Sequence, residues 1–172
     1  RAPLVARLDA DDACTPNRLA RQIQWLRARP DVALVGSFVT SNVASEPIVW
    51  TNSFWNAHQV RRARYVDGPL VQSTWCARRE LFVRHGGYRV GPFPEDYEAL
   101  LRWLESGVVI EKIPESLVFW RRHPDSLTRQ SPRCGVRPLM ALKAAYLSRD
   151  HRLRGRPLAI LYFSSSKVSN WR

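Results

Sequence analysis

Three aspartates near the start of the chain are the residues best suited to chemistry. The stretch Leu8-Asp9-Ala10-Asp11-Asp12 follows a short apolar run over residues 4–6. An apolar run that stops at acidic residues predicts a buried parallel strand with an exposed carboxyl end, and open α/β sheets bind their ligands beyond such ends. Asp9 and Asp11 are two apart, so in extended backbone both carboxylates point the same way. Two hard oxygen donors on one face suit Mg²⁺ or Mn²⁺.

An Asp-x-Asp pair also has simpler explanations. The aspartates could merely cap the next helix, and motifs this short arise often by chance. An EF-hand loop starting at Asp9 would need Gly and Glu where the chain has Cys14 and Ala20. A phosphatase of the haloacid dehalogenase type usually continues with a small pair such as Gly-Thr, which Asp12-Ala13 fits poorly. A metal pair and a helix cap are the two interpretations that remain.

A second acidic pair and a basic segment lie further along the chain. Glu95 and Asp96 follow the rigid Pro-Phe-Pro of residues 92–94 and open a predicted helix. Acidic residues there also favour the helix dipole, so they have a purely structural explanation. Arg121-Arg122-His123-Pro124 comes where a predicted strand ends. A histidine in that setting is a better ligand candidate than an isolated one.

Strands and helices that alternate along the chain are predicted to position these residues. Thr15 and Pro16 begin a helix whose inner face carries Leu19, Ile23 and Leu26, and the apolar run 32–35 is a buried strand. Strand, helix and strand form a crossover unit, which predicts a parallel-rich sheet. The remaining predicted elements are strands at 71–77, 108–113 and 117–120, helices at 79–85 and 95–105, and a weakly helical segment from 137. The second of these helices should bury Tyr97, Leu100, Leu101 and Leu104.

Residues 38–56 lose periodicity and are predicted to form a long loop. The loop contains Trp50 and Trp55. Aromatic side chains in such a loop could stack on a sugar ring or pack over the sheet, and packing is the commoner outcome. These two tryptophans are the candidates for contact with a sugar acceptor.

Length and composition favour one globular domain. The chain has 172 residues with 45% hydrophobic and 24% charged content. No apolar run approaches the roughly 18 residues that span a bilayer, and no signal peptide is visible. Three cysteines with no paired spacing predict neither a zinc site nor a disulfide framework, which fits a reducing cytoplasm. The chain opens with Arg1 inside an apolar strand, so we expect a fragment that lacks its natural N-terminus.

The positive charge is concentrated near the end of the chain. Residues 121–172 hold 12 Lys and Arg against 2 Asp and Glu, a net charge of +10, whereas residues 1–120 carry only +2. Such a segment could meet an anionic membrane or polyanion. A solvated arginine-rich surface is the alternative, since charge bears on partners and not on fold.

Several blocks in series resemble the middle of family-two glycosyltransferases of the GT-A fold. The first blocks are Ala6-Arg-Leu-Asp-Ala-Asp-Asp12, Pro16-Asn-Arg-Leu19 and Pro30-Asp-Val-Ala-Leu-Val-Gly-Ser37. The later ones are Arg79-Glu-Leu81, Gly86-Gly-Tyr88, Glu95-Asp-Tyr97 with Leu101-Arg102, and Trp120-Arg-Arg-His-Pro-Asp-Ser126. The resemblance covers roughly residues 4–128, and blocks that are weak alone are specific in this order.

The resemblance implies a partial GT-A fold, Rossmann-like, with a mixed sheet flanked by helices. Residues 1–128 would be the C-terminal portion of the glycosyltransferase domain, and residues 129–172 a basic, helical tail. The family's nucleotide-binding half would precede Arg1. The implied reaction transfers a sugar from a nucleotide-diphosphate donor, such as a UDP-sugar, to an acceptor hydroxyl with inversion.

The resemblance also implies a role for each candidate residue. Asp9 and Asp11, with His123, would hold Mg²⁺ or Mn²⁺ on the donor diphosphate. Asp96, supported by Glu95, would be the general base for the acceptor hydroxyl. The residues expected near the donor diphosphate are Asp12, Arg102, Arg121 and Arg122.

The expected partners follow from that reaction. They are a nucleotide-sugar, a glycan or lipid-linked acceptor and, through the basic tail, the inner face of a membrane, with a cytoplasmic location and no specific nucleic acid. The alternative function is a non-catalytic remnant whose tail binds an anionic surface. These alternatives differ in whether the acidic residues carry out chemistry.

Overall fold

Six strands form one curled sheet in the computed structural model. The structure describes residues 2–43, 46–50, 55–65, 68–121, 125 and 130–150, without the side chains of 42–50. The strands are β1 (Leu4–Ala6), β2 (Ala13–Cys14), β3 (Val32–Val43), β4 (Glu46–Trp50), β5 (Cys76–Arg78) and β6 (Val109–Trp120). The helices are α1 (Arg18–Ala28), α2 (Ala57–Ala63), α3 (Arg79–His85), α4 (Glu95–Glu105) and α5 (Val136–Leu147). The fold is therefore a mixed α/β fold, consistent with a partial GT-A domain.

The sheet is less parallel than the sequence predicts. Its order is β1-β5-β3-β6-β2, with β4 paired to the far half of β3. Among the strands that the structure describes, β3 and β6 are the parallel neighbours, and their other four pairings are antiparallel. Strands β1 and β3 do run in the same direction, as a crossover requires, but β5 lies between them and opposes both. The prediction of a parallel-rich sheet was wrong because β5 is supplied by a distant part of the chain.

Strand β1 is an edge strand and is not buried. It pairs with β5 alone, through Leu4 with Arg78, Val5 with Ala77 and Ala6 with Cys76. Val5 is 42% exposed. The apolar run before the aspartates thus reaches the sheet edge, and the predicted burial of this strand was wrong.

The two long strands extend through segments that looked irregular. β3 continues to Val43 and pairs antiparallel with β4, from Val39 with Trp50 to Val43 with Glu46, so the described part of the predicted loop 38–56 is mostly strand. β6 continues through Pro114, where the pairing of the adjacent β3 residues Ser37 and Phe38 jumps from Ile113 to Ser116 of β6. A bulge accommodates a proline without a donor, so Pro114 does not break the strand.

Helices cover both faces of the sheet. One cluster contains Leu26 of α1 with Val35, Cys76 and Ile113 of the strands. The larger cluster lies on the other face and includes residues of α2, α3, α4 and α5. Helix α4 is enclosed on all sides, since each residue from 97 to 104 is buried, including the four residues predicted to face inward. Burial of one whole helix is what fixes the position of its first residues.

Helix α1 turns a polar face to the sheet. Its buried residues are Arg18, Gln22 and Leu26, whereas Leu19 is 49% exposed, so the predicted inner face was wrong at Leu19. The Arg18 guanidinium donates to the Gln22 amide oxygen at 3.1 Å and to the carbonyl oxygens of Arg7 at 2.6 Å and Trp75 at 3.4 Å. Buried polar groups need such partners. Arg18 consequently ties α1 to the chain just ahead of the aspartates.

Helix α5 belongs to the main core. Leu142 and Tyr146 are buried in the larger cluster, and the Tyr146 hydroxyl donates to Glu98 at 2.7 Å. Part of the expected 129–172 tail therefore packs against α4, while residues 151–172 lie outside the described part. Among the helices of the described ranges, none is long and apolar enough to cross a membrane.

Candidate active site

The three aspartates form a tight turn between β1 and β2. The Arg7 N–H donates to the Trp75 carbonyl at 2.8 Å, and the Asp9 N–H donates to the Ser73 hydroxyl at 3.2 Å. The Asp12 N–H then donates back to the Asp9 carbonyl at 3.1 Å. These bonds hold the backbone of the turn, and α1 begins after it at Arg18, with no side-chain hydrogen bond from its N-cap residue Asn17.

Asp12 connects this turn to the end of β6. Its Oδ1 accepts the Arg121 N–H at 2.9 Å, while its Oδ2 is buried and has no hydrogen-bond donor within the described ranges. Burial raises the pKa of the Asp12 carboxyl, and the Asp11 and Asp9 carboxylates raise it further, against the neighbouring Ser73 hydroxyl and the Arg121 N–H. Asp9, Asp11 and Asp12 therefore concentrate negative charge in one place.

Asp9 has a counter-ion in this arrangement. Its Oδ1 accepts from the Arg7 guanidinium at 2.8 Å, with the two side chains 50% and 37% exposed. Asp11 is exposed at the centre of the turn. An ion pair this exposed is weak and is readily exchanged.

The turn has the chemistry of a site for a hard cation. Three carboxylates repel one another there, and among the described residues the buried Asp12 oxygen has only the Ser73 hydroxyl beside it. Across the described ranges, no three His, Cys, Asp or Glu side chains form a complete cage. Mg²⁺ is commonly held by one or two carboxylates together with substrate phosphates, so a partial donor set fits it.

Asp96 lies at the start of the buried helix α4. Its Oδ1 accepts the Tyr97 N–H at 2.7 Å. Burial raises the pKa of the Asp96 carboxyl to about 6, with further increases from the Glu95 and Asp9 carboxylates. The Asp9 carboxylate is thus one of the charges that act on Asp96, which links the two acidic segments electrostatically. Glu95 is exposed beside it.

Arg102 is placed where it cannot serve a diphosphate, contrary to the sequence prediction. It is 9% exposed. Its Nε donates to Glu98 at 3.1 Å, one terminal nitrogen donates to the carbonyls of His85 and Gly86, and the other to the Gly87 carbonyl at 2.6 Å and to Glu98 at 3.3 Å. A guanidinium has five N–H donors, and all five are engaged. Arg102 thus fixes the chain just before Asp96.

The remaining predicted site residues differ in their distance from the acidic turn and in whether the structure describes them. Arg121 is exposed beside Asp12. Trp55 is 44% exposed, and its carbonyl accepts the Lys112 N–H of β6. Lys112 lies eight residues, or roughly 25 Å of strand, before the Trp120 end of β6, which is the end that Asp12 contacts. Trp55 is therefore far from the acidic turn. Trp50 lies in β4 and its side chain is not described, while Arg122 and His123 lie outside the described residues.

Ser73 and Tyr88 belong to the site although the sequence analysis did not select them. Ser73, in the turn Gln72–Thr74, holds Asp9. The Tyr88 phenol lies against Gln72 of the same turn and feels the charges of Arg7, Asp96 and Glu95. The block Gly86-Gly-Tyr88 was the available signal for Tyr88, whereas no local pattern marks Ser73.

Comparison with known proteins supplies independent findings. Residues 1–86 match the family described as Glycosyl transferase family 2. The chain is 26% identical over 132 residues to the amylovoran biosynthesis glycosyltransferase AmsE of Erwinia amylovora, covering 74% of this chain and 48% of that protein. It is 23% identical over 120 residues to an uncharacterized glycosyltransferase of Haemophilus influenzae, covering 68% and 44%. The chain spans about half the length of these curated relatives.

Proposed function

Because this chain belongs to glycosyl transferase family 2, we propose that it carries the catalytic residues for inverting transfer of a sugar from a nucleotide-diphosphate donor to an acceptor hydroxyl. The observation that carries the proposal is the raised pKa of Asp96 at the start of α4, to which burial contributes most and the Asp9 carboxylate of the acidic turn contributes as well. One carboxylate suits a proton transfer and the other suits a cation, and the reaction needs both.

On the donor side, Asp9 and Asp11 would hold Mg²⁺ or Mn²⁺, with Asp12 keeping the turn against β6. The ion would neutralise the charge that develops on the departing diphosphate. Arg121 lies next to Asp12 and would add a positive charge there, and His123 and Arg122 remain sequence-based candidates for the same role. Arg7 would leave Asp9 when a cation replaces it, because their ion pair is exposed.

On the acceptor side, Asp96 would act as the general base. The acceptor O–H bond breaks and its proton passes to the Asp96 carboxylate while the acceptor oxygen bonds to the anomeric carbon. The bond from that carbon to the diphosphate oxygen breaks on the opposite face, so the configuration inverts. A pKa of about 6 leaves Asp96 ionised at neutral pH yet basic enough to accept a proton.

The identities of the partners are proposed from similarity. The name of the Erwinia amylovora relative refers to biosynthesis of amylovoran, which supports a glycan as acceptor and envelope or extracellular polysaccharide as product class. A UDP-sugar is the proposed donor, and a cytoplasmic location follows from the need for that donor.

Contact with an anionic membrane would involve the basic residues after Asp150, and deleting residues 151–172 should abolish salt-sensitive binding to phosphatidylserine vesicles.

Two isosteric variants in the complete protein test the two carboxylate roles. Asp11→Asn removes a charged ligand, so Mn²⁺-dependent binding of UDP should weaken. Asp96→Asn removes the proton acceptor, so UDP binding should persist while transfer falls by about 10²–10⁴. Isothermal titration with UDP and Mn²⁺, together with turnover of UDP-glucose and UDP-galactose, measures both effects.

Two results would contradict the proposal. Transfer at the unaltered rate in Asp96→Asn would leave Asp96 as a helix-start charge. UDP binding that is equally strong without metal, or in Asp11→Asn, would remove the cation site. If both occurred, binding of an anionic surface without catalysis would be the better explanation.

A further inference from the structure

Four aromatic rings form a continuous stack that ends at the candidate site. Phe82 packs edge-on against Trp103 with ring centroids 5.4 Å apart, and Trp103 lies 5.6 Å from Trp75. Trp75 is 2% exposed and stacks on Tyr88, with centroids 6.4 Å apart and ring planes 20° from parallel. Tyr88 is 43% exposed. The stack therefore presents one flat, partly exposed ring that is supported from behind.

The segment that carries Tyr88 is held at both ends. Gly86 has a φ of +75° and its carbonyl accepts from Trp103 at 3.2 Å. Arg102 holds the Gly87 carbonyl at 2.6 Å. On the other side, Gly91 lies so close to the Phe93 ring that an added Cβ would come within 2.3 Å of it. A ring fixed in this way loses little conformational freedom when a ligand packs on it.

Tyr88 also faces the two acidic segments. Its phenol lies against Gln72, and the next residue of the same turn, Ser73, binds the Asp9 backbone at 3.2 Å. The Asp96 and Glu95 carboxylates and the Arg7 guanidinium all act on the phenol. An aromatic platform thus lies beside both the carboxylate that would accept a proton and the turn that would hold the donor.

We propose that Tyr88 is an acceptor-binding residue, whose exposed ring stacks on a pyranose ring of a glycan acceptor and brings one of its hydroxyls to Asp96. This inference rests on the proposed function. One face of a pyranose carries C–H groups that pack on an aromatic ring, while its hydroxyls can bond to the surrounding charged groups. A lipid chain would gain nothing from those charges. The role moves acceptor contact from Trp50 and Trp55 to the segment between α3 and α4.

The experiment titrates methyl β-glucopyranoside, methyl β-galactopyranoside and, as an apolar probe, 1-hexanol into the complete protein with UDP and Mn²⁺ present. NMR signals of the Tyr88 ring should shift with at least one glycoside. Tyr88→Ala should weaken that binding by about fivefold, and Tyr88→Phe should stay within about twofold because the ring is retained. Trp55→Ala, at a position of equal exposure, provides a direct comparison between the two aromatic sites.

Each result has a definite meaning. Glycoside affinity that falls in Trp55→Ala but not in Tyr88→Ala overturns the inference, as does a Tyr88 signal that responds to hexanol alone or to none of the probes. If Asp96→Asn loses transfer while Tyr88→Ala keeps an unaltered KM for the glycoside, only this inference fails. If Asp96→Asn transfers normally, the proposed function fails, whatever the glycosides do.

Discussion

The acidic turn and the start of helix α4 carry the same kind of residue in opposite settings. In the turn, Asp9 and Asp11 are accessible, and Asp12 keeps one oxygen without a donor among the described residues. Within α4, Glu98 is buried and accepts from Arg102 and Tyr146, and the Arg102 donors are all engaged. The turn thus keeps its carboxylates accessible to solvent, whereas the helix encloses its ion pair and engages every Arg102 donor.

Under the proposed function, that difference separates the groups that would bind a cation from those that position them. A carboxylate with unused capacity can accept a cation at little cost, because few native bonds must break. A buried pair with complete hydrogen bonding is expensive to disturb and so fixes its surroundings. Asp96 lies between these extremes, with a carboxyl that is buried enough to have a raised pKa yet close to the turn.

The largest expected effect is on stability and comes from the helix side. Arg102→Ala removes the closest charged partner of the buried Glu98 carboxylate and the Arg102 donor of the His85 and Gly87 carbonyls, which should cost about 3–5 kcal/mol in the free energy of unfolding. Arg84→Ala removes an ion pair with the same i,i+4 spacing to Glu80 but on the surface, with side chains 70% and 59% exposed. It should cost less than about 1 kcal/mol. Urea denaturation of both variants measures the contrast, and equal losses would break it.

A smaller effect on stability concerns Asp96 and depends on pH. Between the ordinary pKa of 3.8 and the folded pKa of about 6, the folded chain keeps a proton on Asp96 that the unfolded chain has lost, so stability falls as pH rises through this window. Above pH 6 the cost approaches about 3 kcal/mol. Asp96→Asn should therefore be more stable than the unaltered, metal-free chain at pH 8 and not at pH 4. Thermal melts of the variant and the unaltered chain at both pH values measure this difference, and Asp31→Asn, at an exposed position, is the control. If Asp96 were solvated, the difference in stability between the two chains would not depend on pH.

The smallest effect tests whether the two acidic regions communicate. Asp9 makes the weakest of the contributions that raise the pKa of Asp96, after burial and Glu95. Asp9→Asn should thus lower the Asp96 pKa by less than about one unit in the metal-free chain. Carboxyl ¹³C NMR over pH 3–8 follows this titration directly. If the pKa of Asp96 does not change, the Asp9 carboxylate does not act on it, and the prediction is wrong. Glu80→Gln, at the far end of α3, is the control variant and should leave the Asp96 pKa unaltered.

Local signals allowed the helices of the site to be predicted. Helix α3 was predicted at its observed bounds because Gly86 ends it, and α4 was predicted with its four inward residues. Capping, glycine and 3.6-residue periodicity are all read within a few residues. The family was likewise predicted from blocks in series, and the match over residues 1–86 confirms it.

The parts that could not be predicted depend on distant partners. Strand β5 enters between β1 and β3 from more than thirty residues away, and β4 exists because it pairs with β3. The sequence suggested Arg102 as a phosphate ligand. Its hydrogen bonds to the carbonyls of residues 85–87 form only in the folded chain, so no local sequence pattern shows them. Leu19 looked like a core residue, because nothing local shows that Arg18 finds a buried partner in Trp75, just before β5, and Gln22 one on β3.

The bonds around the acidic turn have a consequence for how the chain folds. Asp9 is held by a residue 64 positions away, Asp12 by one 109 positions away, and the Arg18 contact with Trp75 spans 57 positions. Contacts with such sequence separation form late, because the loops they close must first be brought together at an entropic cost. When synthesis has reached only residue 100, every aspartate of the turn has been made, but Arg121, whose N–H binds Asp12, has not. The turn would therefore complete its contacts only after the helix that carries Asp96 has been made.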